Sequence, residues 1–231
     1  MEQFSRTEML FGKESTEILN GKHIIIFGIG GVGGYACESL ARSGIGAIDI
    51  VDNDVVSKSN INRQIIALHS TVGRAKVDVM RERLLDINPS IKVTTFNELY
   101  LPETADKFDF TKYDYIIDAI DTVSGKISLA VEAERAGTPI ISSMGAGNKI
   151  VPTAFEIADI YKTSVCPLAR AMRAELKKRG VKALKVVYSR EEPVSGVVNE
   201  NGKRVFGSSS YIPAIAGLTI SAEVIKDLLK K

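Results

Sequence analysis

A glycine-rich turn near the start of the chain has the composition and spacing of a phosphate-binding loop. Gly28, Gly30 and Gly33 form a G-x-G-x-x-G pattern between the apolar run 23–27 and a segment with helical spacing. Glycines let a backbone approach a phosphate closely, and the free N–H groups at a helix start attract anions. Asp52 ends the next strand-like run, where a carboxylate can accept a hydrogen bond from a ribose hydroxyl. The pattern predicts a nucleotide site with NAD as the default ligand; a purely structural glycine turn is the alternative.

Cations that follow this carboxylate argue against NAD. Arg63 lies in the segment SNINRQ, while Arg74 and Lys76 come at the start of the next helical segment, where the helix dipole disfavours positive charge. Together they could meet three phosphates, and an arginine in such a position can accelerate phosphoryl chemistry about a thousandfold or more. Ordinary surface charge explains the same spacing equally well, so both interpretations stay open at this point.

Two carboxylates end a later strand-like run with the sequence DAID. In a doubly wound sheet the ends of the first and fourth strands flank the ligand crevice, so we expect Asp118 and Asp121 near the phosphates. Because a bare carboxylate repels phosphate, Asp121 fits there chiefly as a ligand of Mg²⁺. The structural alternative is an N-cap for the helix that begins at Thr122.

The elements that position these residues alternate between strand and helix. From residue 23 to about residue 150 the alternation predicts an α/β fold, a doubly wound and mostly parallel Rossmann-like sheet. Beyond Val151 the pattern loosens into two strand-like runs, an amphipathic helix and an apolar helix over 211–229. We expect a single domain over 1–231, in which 1–150 bind the nucleotide and 151–231 form a C-terminal extension that faces the substrate and a dimer partner.

Composition excludes several classes of protein. With 45% hydrophobic and 25% charged residues, the chain is typical of soluble globular proteins rather than disordered or fibrous ones. Its longest apolar stretch, about 10 residues, is shorter than a bilayer span. The first residues show no signal-peptide pattern, so we expect a cytoplasmic protein that does not engage membranes. Cys37 and Cys166 are the only cysteines, too few for a four-cysteine zinc site.

The net charge of +2 hides a strongly basic segment. Residues 162–190 carry nine lysines and arginines against one acid, so this segment is +8 and the rest of the chain is −6. Arg170, Arg173 and Lys177 share one face of the amphipathic helix. Such a face can bind the phosphates of a polyanion, while a solvated helix face is the alternative.

Taken in order, the motifs resemble the ubiquitin-activating-enzyme-like (ThiF/MoeB-type) adenylate-forming family. GxGGxG, DxDxVxxSNxNRQ, the later Lys76 and DAID carry the resemblance, and SNxNRQ is far more specific than the glycine turn. Within the family, FSRTEMLFG, GAGNKIVPT, KTSVCPLARAMRAELKKRG and SREEP are similar to the branch of tRNA-modifying dehydratases. The resemblance therefore extends over nearly the whole chain.

This resemblance implies an enzyme that uses ATP and Mg²⁺. The residues that would bind the nucleotide or its metal are Gly28, Gly30, Gly33, Asp52, Asn60, Arg63, Gln64, Lys76 and Asp121. Arg63, Lys76 and Asp121 would stabilise the adenylation transition state, with Asp121 as the metal ligand. Arg6 would reach the phosphates bound by the partner subunit of a homodimer.

The implied reaction is the ATP-dependent dehydration of threonylcarbamoyladenosine in tRNA to its cyclic form. Arg170, Arg173 and Lys177 would then bind tRNA phosphates. Lys203, Arg204, Phe206 and Tyr211, in or beside a polar loop, could contact an unstacked base, the alternative being a mobile surface loop. The resemblance also leaves room for a sulfur-transfer or redox partner protein.

Two other functions compete with this interpretation. One is an adenylyltransferase that activates the C-terminal carboxylate of a ubiquitin-like sulfur-carrier protein, although the two CxxC pairs common in that branch are missing. The other is an NAD-dependent dehydrogenase or dinucleotide-binding module, which SNINRQ and Lys76 disfavour. Cys166 could serve as a thioester-forming nucleophile, but a lone cysteine before a proline is more often structural.

Overall fold

The computed structural model describes residues 2–194, 197–198 and 204–230. Within these residues, β-strands cover β1 His23–Phe27, β2 Ala47–Val51, β3 Lys92–Phe96, β4 Tyr115–Asp118, β5 Ile140–Ser143, β6 Phe155–Asp159, β7 Lys185–Ser189, β8 Val197–Val198 and β9 Arg204–Val205. The α-helices are α1 Ser5–Phe11, α2 Glu14–Asn20, α3 Gly33–Arg42, α4 Lys76–Ile87, α5 Val123–Ala136, α6 Pro167–Lys178 and α7 Ile212–Leu229. Short 3-10 turns occupy Glu2–Phe4, Lys58–Asn60, Pro102–Lys107, Phe110–Lys112, Pro152–Ala154 and Ile160–Lys162.

Seven strands form one sheet in the order β3-β2-β1-β4-β5-β7-β6. All neighbouring strands pair in parallel except β6, which runs antiparallel to β7 at the edge. Strands β8 and β9 form a separate antiparallel pair. The predicted doubly wound, mostly parallel α/β fold is confirmed, and β6 and β7 extend the same sheet. The division of the domain into a nucleotide-binding part and a substrate-facing part stays a prediction.

Both faces of the central strands are buried, which is why their sequences are continuous apolar runs. In β1, Ile24 and Ile26 pack into the core that includes α3, α4 and α7. Ile25 and Phe27 point to the opposite face and pack against Leu129 and other residues of α5. The alternation of side chains along a strand thus divides the β1 side chains between two cores.

Strand register brings the chemically interesting turns to one edge of the sheet. Phe27 of β1 lies level with Val51 of β2 and with Asp118 of β4. The chain therefore leaves these three strands side by side, at Gly28, at Asp52 and at Ala119. This edge is the crevice where ligands bind in open α/β sheets.

The N-terminal helices had no counterpart in the sequence prediction. Helices α1 and α2 precede the first strand, and Leu19 of α2 is fully buried in the core next to α7. Within the described part of the chain, no helix combines the length and apolarity needed to cross a membrane.

Candidate functional site

A cavity of about 840 Å³ lies along the carboxyl ends of the central strands. That volume is in the range of small-molecule sites. Its walls include Gly28, Gly30, Gly31, Asp52, Asp54, Asn60, Asn62, Arg63, Gln64, Lys76, Leu99, Tyr100, Ala119, Ile120, Asp121, Ala146, Gly147, Phe206, Gly207 and Ser208. The cavity brings together most residues that the sequence predicted for nucleotide binding, from segments far apart in the chain.

Of the residues predicted for nucleotide binding or catalysis, Gly33 and Arg6 do not line this cavity. Gly33 begins α3, and a Cβ at this position would overlap the carbonyl oxygen of Gly28. Its role in this chain is therefore close packing of the helix on the glycine turn. Arg6 lies exposed on α1, away from the cavity of its own chain.

The glycine turn requires its first glycine for two reasons. Gly28 has a φ of +89°, a conformation that side chains other than glycine rarely adopt. A Cβ on Gly28 would also lie 2.7 Å from the carbonyl oxygen of Ala119 in the turn after β4. The loops after β1 and β4 therefore touch backbone to backbone, which fixes the floor of the cavity.

Backbone hydrogen bonds fix the carboxylate of Asp52 at the end of β2. Its Oδ2 accepts from the N–H of Ile29 at 2.6 Å, and its Oδ1 accepts from the N–H of Asp54 at 2.8 Å. The side chain is only 9% exposed yet lines the cavity. A carboxylate held in this way is preorganised to accept a hydrogen bond from a ribose hydroxyl.

Lys76 is a buried cation held by two carboxylates. It is 5% exposed, and its Nζ lies 2.6 Å from Oδ2 of Asp54 and 3.8 Å from Oδ2 of Asp52. Asp54 is itself 63% exposed, so water can solvate it when the lysine turns away. An anionic ligand in the cavity can replace Asp54 as the partner of Lys76.

Arg74, which the sequence placed with Lys76, instead pairs with Glu82 and does not line the cavity. The prediction that Arg74 contacts phosphates was wrong.

The SNINRQ segment is a self-braced turn. Asn60 Oδ1 accepts from the N–H of Ser57 at 3.1 Å. Nη1 of Arg63 donates to the carbonyl oxygen of Ser59 at 2.9 Å and to Asn62 at 3.0 Å. These bonds leave the Nη2 end of the guanidinium without a protein partner among the described residues. Arg63 is therefore aimed by its own turn and retains donors for a phosphate.

Gln64 lines the cavity and keeps a buried acceptor without a partner among the described residues. The residue is 7% exposed, and its Oε1 has no hydrogen-bond partner within the described structure. Buried polar atoms are almost always hydrogen-bonded, so the unpaired Oε1 shows that the fold alone does not satisfy this side chain. The amide nitrogen of the same side chain is a donor that can serve an anion.

The expectation that Asp118 lies near the phosphates is wrong. This carboxylate is fully buried, at 3.0 Å from Nζ of Lys126 and 2.5 Å from the hydroxyl of Ser142. Lys126 also donates to the carbonyl oxygen of Ile120 at 3.0 Å. The pair therefore secures the turn that carries Asp121. A lysine among the apolar positions of the helix predicted to begin at Thr122 is the sequence signal that could have identified Lys126.

Asp121 does line the cavity, as predicted, and it is exposed. The N-cap position of α5 belongs to Thr122, so the N-cap alternative for Asp121 is wrong. Among the described residues, no three histidine, cysteine, aspartate or glutamate side chains gather as a metal cluster. A single carboxylate still suits Mg²⁺, which binds through one or two carboxylates and completes its shell with phosphate oxygens and water.

On the β5 side, the cavity is walled by loops joined in a hydrogen-bonded cluster. We call Asn148, Lys149, Glu191 and Gly207 the clasp. Asn148 and Gly207 exchange two hydrogen bonds, of 2.8 and 2.5 Å. Nζ of Lys149 donates to the carbonyl oxygen of Glu191 at 2.7 Å, and the Glu191 carboxylate accepts the N–H groups of residues 150 and 151. Asn148 and Lys149 lie in GAGNKIVPT and Glu191 lies in SREEP, two segments whose contact no local pattern in the sequence predicts.

The residues proposed to contact a base separate in the structure. Phe206 lines the cavity and is 72% exposed. Tyr211 donates its O–H to the carbonyl oxygen of Ile150 at 3.2 Å and does not line the cavity. Lys203 and the side chain of Arg204 lie outside the described residues.

Helix α6 presents two of its three predicted cations to solvent. Arg170 and Lys177 are exposed and form no ion pair with described residues, while Met172 and Leu176 are buried on the opposite face. Arg173 is half-buried, since its guanidinium donates to the carbonyl and the hydroxyl oxygens of Thr163. The predicted basic face exists, but Arg173 is partly committed to the fold.

Both cysteines are packed in cores. Burial raises the pKa of the Cys37 thiol far above its ordinary value, which makes it a poor nucleophile. Cys166 is 2% exposed and packs in the core with Met172 and Leu176. This packing favours the structural role over a thioester-forming one.

The chain is similar to known proteins over nearly its whole length. A profile of the ThiF family covers residues 4–231. The tRNA threonylcarbamoyladenosine dehydratase of Bacillus subtilis is 43% identical over 245 residues, covering 100% of this chain and 96% of that protein. Two crystal structures of the Escherichia coli tRNA N6-threonylcarbamoyladenosine dehydratase, one with AMP and one with ATP, have TM-scores of 0.91 at 35% identity, covering 99% of this chain and 94% of theirs.

A relative of the competing kind matches less of the chain. An adenylyltransferase and sulfurtransferase of Vanderwaltozyma polyspora is 35% identical over 60% of this chain and 31% of its own length. The similarity to the dehydratases, by contrast, includes both the glycine-turn half and the clasp half of the molecule.

Proposed function

The chain belongs to the ThiF family, and from that premise we propose that it catalyses the ATP-dependent dehydration of threonylcarbamoyladenosine in tRNA to its cyclic form. The proposal depends on one observation. A single cavity contains Asp52, a carboxylate suited to a ribose hydroxyl, together with groups suited to phosphates, and the cavity continues beyond β4. Space for a second reactant beside a nucleotide is what an acyl-activating site needs. Full-length similarity to the dehydratases supports this substrate over a protein carboxylate.

The reaction begins with a carboxylate, which is a poor acyl donor because its leaving group would be oxide. An oxygen of the threonyl carboxylate attacks the α-phosphorus of ATP, and pyrophosphate leaves as the new P–O bond forms. The neighbouring carbamoyl group then attacks the activated acyl carbon and expels AMP, so one water is lost overall from the nucleoside. The protein supplies orientation and charge stabilisation rather than a covalent intermediate.

Named residues divide this work. Asp52 binds the ribose, and the N–H group of Gly30 faces the phosphates, because the N–H groups of Gly28 and Ile29 already donate to Val51 and Asp52. Arg63 is aimed by its own turn, and Lys76 moves from Asp54 to the phosphates, so both neutralise charge that develops on the departing pyrophosphate. Asn60 fixes the turn that aims Arg63, and Gln64 offers its unsatisfied amide to the nucleotide. Asp121 would hold Mg²⁺, which supplies further neutralisation of the phosphate oxygens when bound.

The reaction surface extends to a partner subunit and to the tRNA. We propose a homodimer in which Arg6 reaches the site of the other subunit; on the same helix Met9 is 84% and Leu10 74% exposed, which suits burial against a second copy. Arg170 and Lys177, with a smaller contribution from Arg173, would bind tRNA phosphates. A tRNA substrate also suits the predicted cytoplasmic location. A sulfur-transfer or redox partner stays a prediction.

The direct experiment supplies purified protein with ATP, Mg²⁺ and tRNA that carries the modification. We expect AMP and pyrophosphate to form together with a nucleoside lighter by one water, measured by mass spectrometry after digestion. Unmodified tRNA is the matched control and should support neither product. AMP formation only with a carrier protein that ends in a free carboxylate would replace this function with the adenylyltransferase alternative.

A further inference from the structure

The cavity is longer than a nucleotide-binding crevice alone requires. Along the sheet edge the strand order is β2-β1-β4-β5, and the loop residues that follow these strands into the cavity are Asp52, Gly28, Asp121 and Ala146. Neighbouring strands are about 4.8 Å apart, so the ends of β2 and β5 are roughly 14 Å apart. With the ribose at Asp52 and the phosphates between Gly28 and Asp121, the β5 end is left for the second reactant.

Among the described residues, two exposed apolar side chains line the cavity. Leu99, in the segment after β3, is 48% exposed. Phe206 is 72% exposed and lines the β5 end, where its Cβ lies 3.2 Å from the position of a Cβ on Gly147. Among the described residues that line the cavity, Phe206 is therefore the aromatic side chain with a face open to solvent, since Tyr100 is buried.

The backbone beside Phe206 is held on two sides although its ring is uncovered. Gly207 exchanges two hydrogen bonds with Asn148, whose φ of +57° is the left-handed conformation that asparagine tolerates. One residue further on, Nδ2 of Asn62 donates to the carbonyl oxygen of Ser208 at 3.1 Å. Packing does not explain this arrangement, because a phenylalanine that is mostly in water adds little to the core. Bracing of the backbone does position the ring for a ligand.

We propose that Phe206 is the platform on which the purine of the modified adenosine stacks, an inference that rests on the proposed function. A base must leave its neighbours in the tRNA before its threonyl carboxylate can reach a phosphate in a recessed cavity. Proteins that bind unstacked bases receive them on aromatic side chains, which recover part of the lost stacking energy. Phe206 and Asp121 line the same cavity, so a purine on Phe206 and phosphates at Asp121 would share one enclosed space.

Three substitutions separate stacking from simple apolar contact. Phe206→Ala removes the ring, Phe206→Leu keeps an apolar side chain without a π face, and Phe206→Tyr keeps the π face. Stacking on an aromatic side chain is worth roughly 5- to 150-fold per base. We expect Phe206→Ala and Phe206→Leu to lower kcat/KM for the modified tRNA by a factor in this range, and Phe206→Tyr to stay near wild type.

The controls isolate the tRNA-dependent effect. Leu218→Ala removes a side chain that is 47% exposed on α7 and does not line the cavity, so it should behave as wild type. Measured at saturating tRNA, the KM for ATP should not change in any Phe206 variant. Unchanged kcat/KM for tRNA in Phe206→Ala, full activity in Phe206→Leu, or a parallel rise of the KM for ATP would each overturn the proposal.

Failure of the proposed function would be visible separately. A wild-type enzyme that forms no cyclised nucleoside from modified tRNA contradicts the dehydratase assignment, whatever the Phe206 variants do. Fluorescence anisotropy with the same tRNA then still tests the stacking of a base on Phe206. A higher Kd in Phe206→Ala but not in Phe206→Tyr supports it, and equal Kd values in all variants reject it.

Discussion

The two sides of the cavity are built differently. On the nucleotide side, Asp52 and Lys76 are charged side chains that line the cavity, are almost fully buried and are held by carboxylates or by backbone N–H groups. On the clasp side, loops are joined mainly through backbone groups, and the side chains left over for a ligand are exposed, as with Phe206. The contrast fits a division between chemistry and recognition. Stabilising a transition state needs dipoles and charges fixed in advance, whereas binding a large polyanion needs accessible groups.

The largest effect should follow from Arg63→Ala. The guanidinium is the cation of the nucleotide side that keeps free donors, and an arginine that neutralises phosphate charge can contribute about a thousandfold or more. We expect kcat/KM for AMP formation to fall by that order, with the melting temperature nearly unchanged because Arg63 bonds only to its own turn. Arg74→Ala is the matched control: Arg74 pairs with Glu82 away from the cavity, and its variant should turn over normally. Near-normal turnover in Arg63→Ala would remove the central cation from the mechanism.

The buried pair under the nucleotide side should give the largest change in stability. Lys126→Met leaves the Asp118 carboxylate buried without its cation, which costs about 3–5 kcal/mol of the free energy of unfolding. Urea denaturation measures it. The control is Lys22→Met, which breaks the partly exposed pair with Asp114 and should cost about 1 kcal/mol or less. Equal losses in the two variants would mean that the pair below the Asp121 turn has no special role.

A smaller effect, on the clasp side only, is expected from the cations of α6. The double variant Arg170→Ala/Lys177→Ala should raise the KM for tRNA several-fold and reduce the slope of log affinity against log salt by about one per lost phosphate contact. The KM for ATP should not move. The control is the double variant Lys178→Ala/Arg179→Ala, which also removes two positive charges. Because both of these side chains already pair with Glu175, the change in the KM for tRNA should be smaller. If the KM for ATP changed together with the KM for tRNA, the two sides of the cavity would not have separate roles.

The smallest effect concerns pH and the clasp. Burial lowers the pKa of Lys149 from its ordinary 10.5, although Cys166 and Glu191 act in the opposite direction. The unfolded chain therefore binds more protons than the fold between the lowered pKa and 10.5, so stability gains with rising pH in this window. Thermal unfolding of wild type and Lys149→Met should show wild type improving relative to the variant as pH approaches 10.5. A difference that is flat or declines with pH would contradict burial of a charged lysine in the clasp.

Much of the fold and part of the site could be predicted from the sequence. The β-branched runs, the helical spacing and the glycine turn gave the alternating pattern, and observed strands such as His23–Phe27 and Tyr115–Asp118 lie where those runs are. Asp52 and Asp121 line one cavity because parallel strands bring their carboxyl ends to one edge. Arg63 and Lys76 line it from the segment after β2 and from the start of α4. Local pattern and sheet topology are enough for residues directly after a strand.

Only the tertiary structure decided which charges belong to the site. Arg74 and Lys76 are two residues apart, yet one points to Glu82 and the other into the cavity; Asp118 and Asp121 divide in the same way, one buried with Lys126 and one lining the cavity. Neighbouring residues on a strand or helix face different directions, and the sequence alone does not say which groups each side chain will contact. The clasp joins residues 59 positions apart in the case of Asn148 and Gly207. Such contacts depend on how loops meet after the sheet has formed, because no local periodicity encodes them.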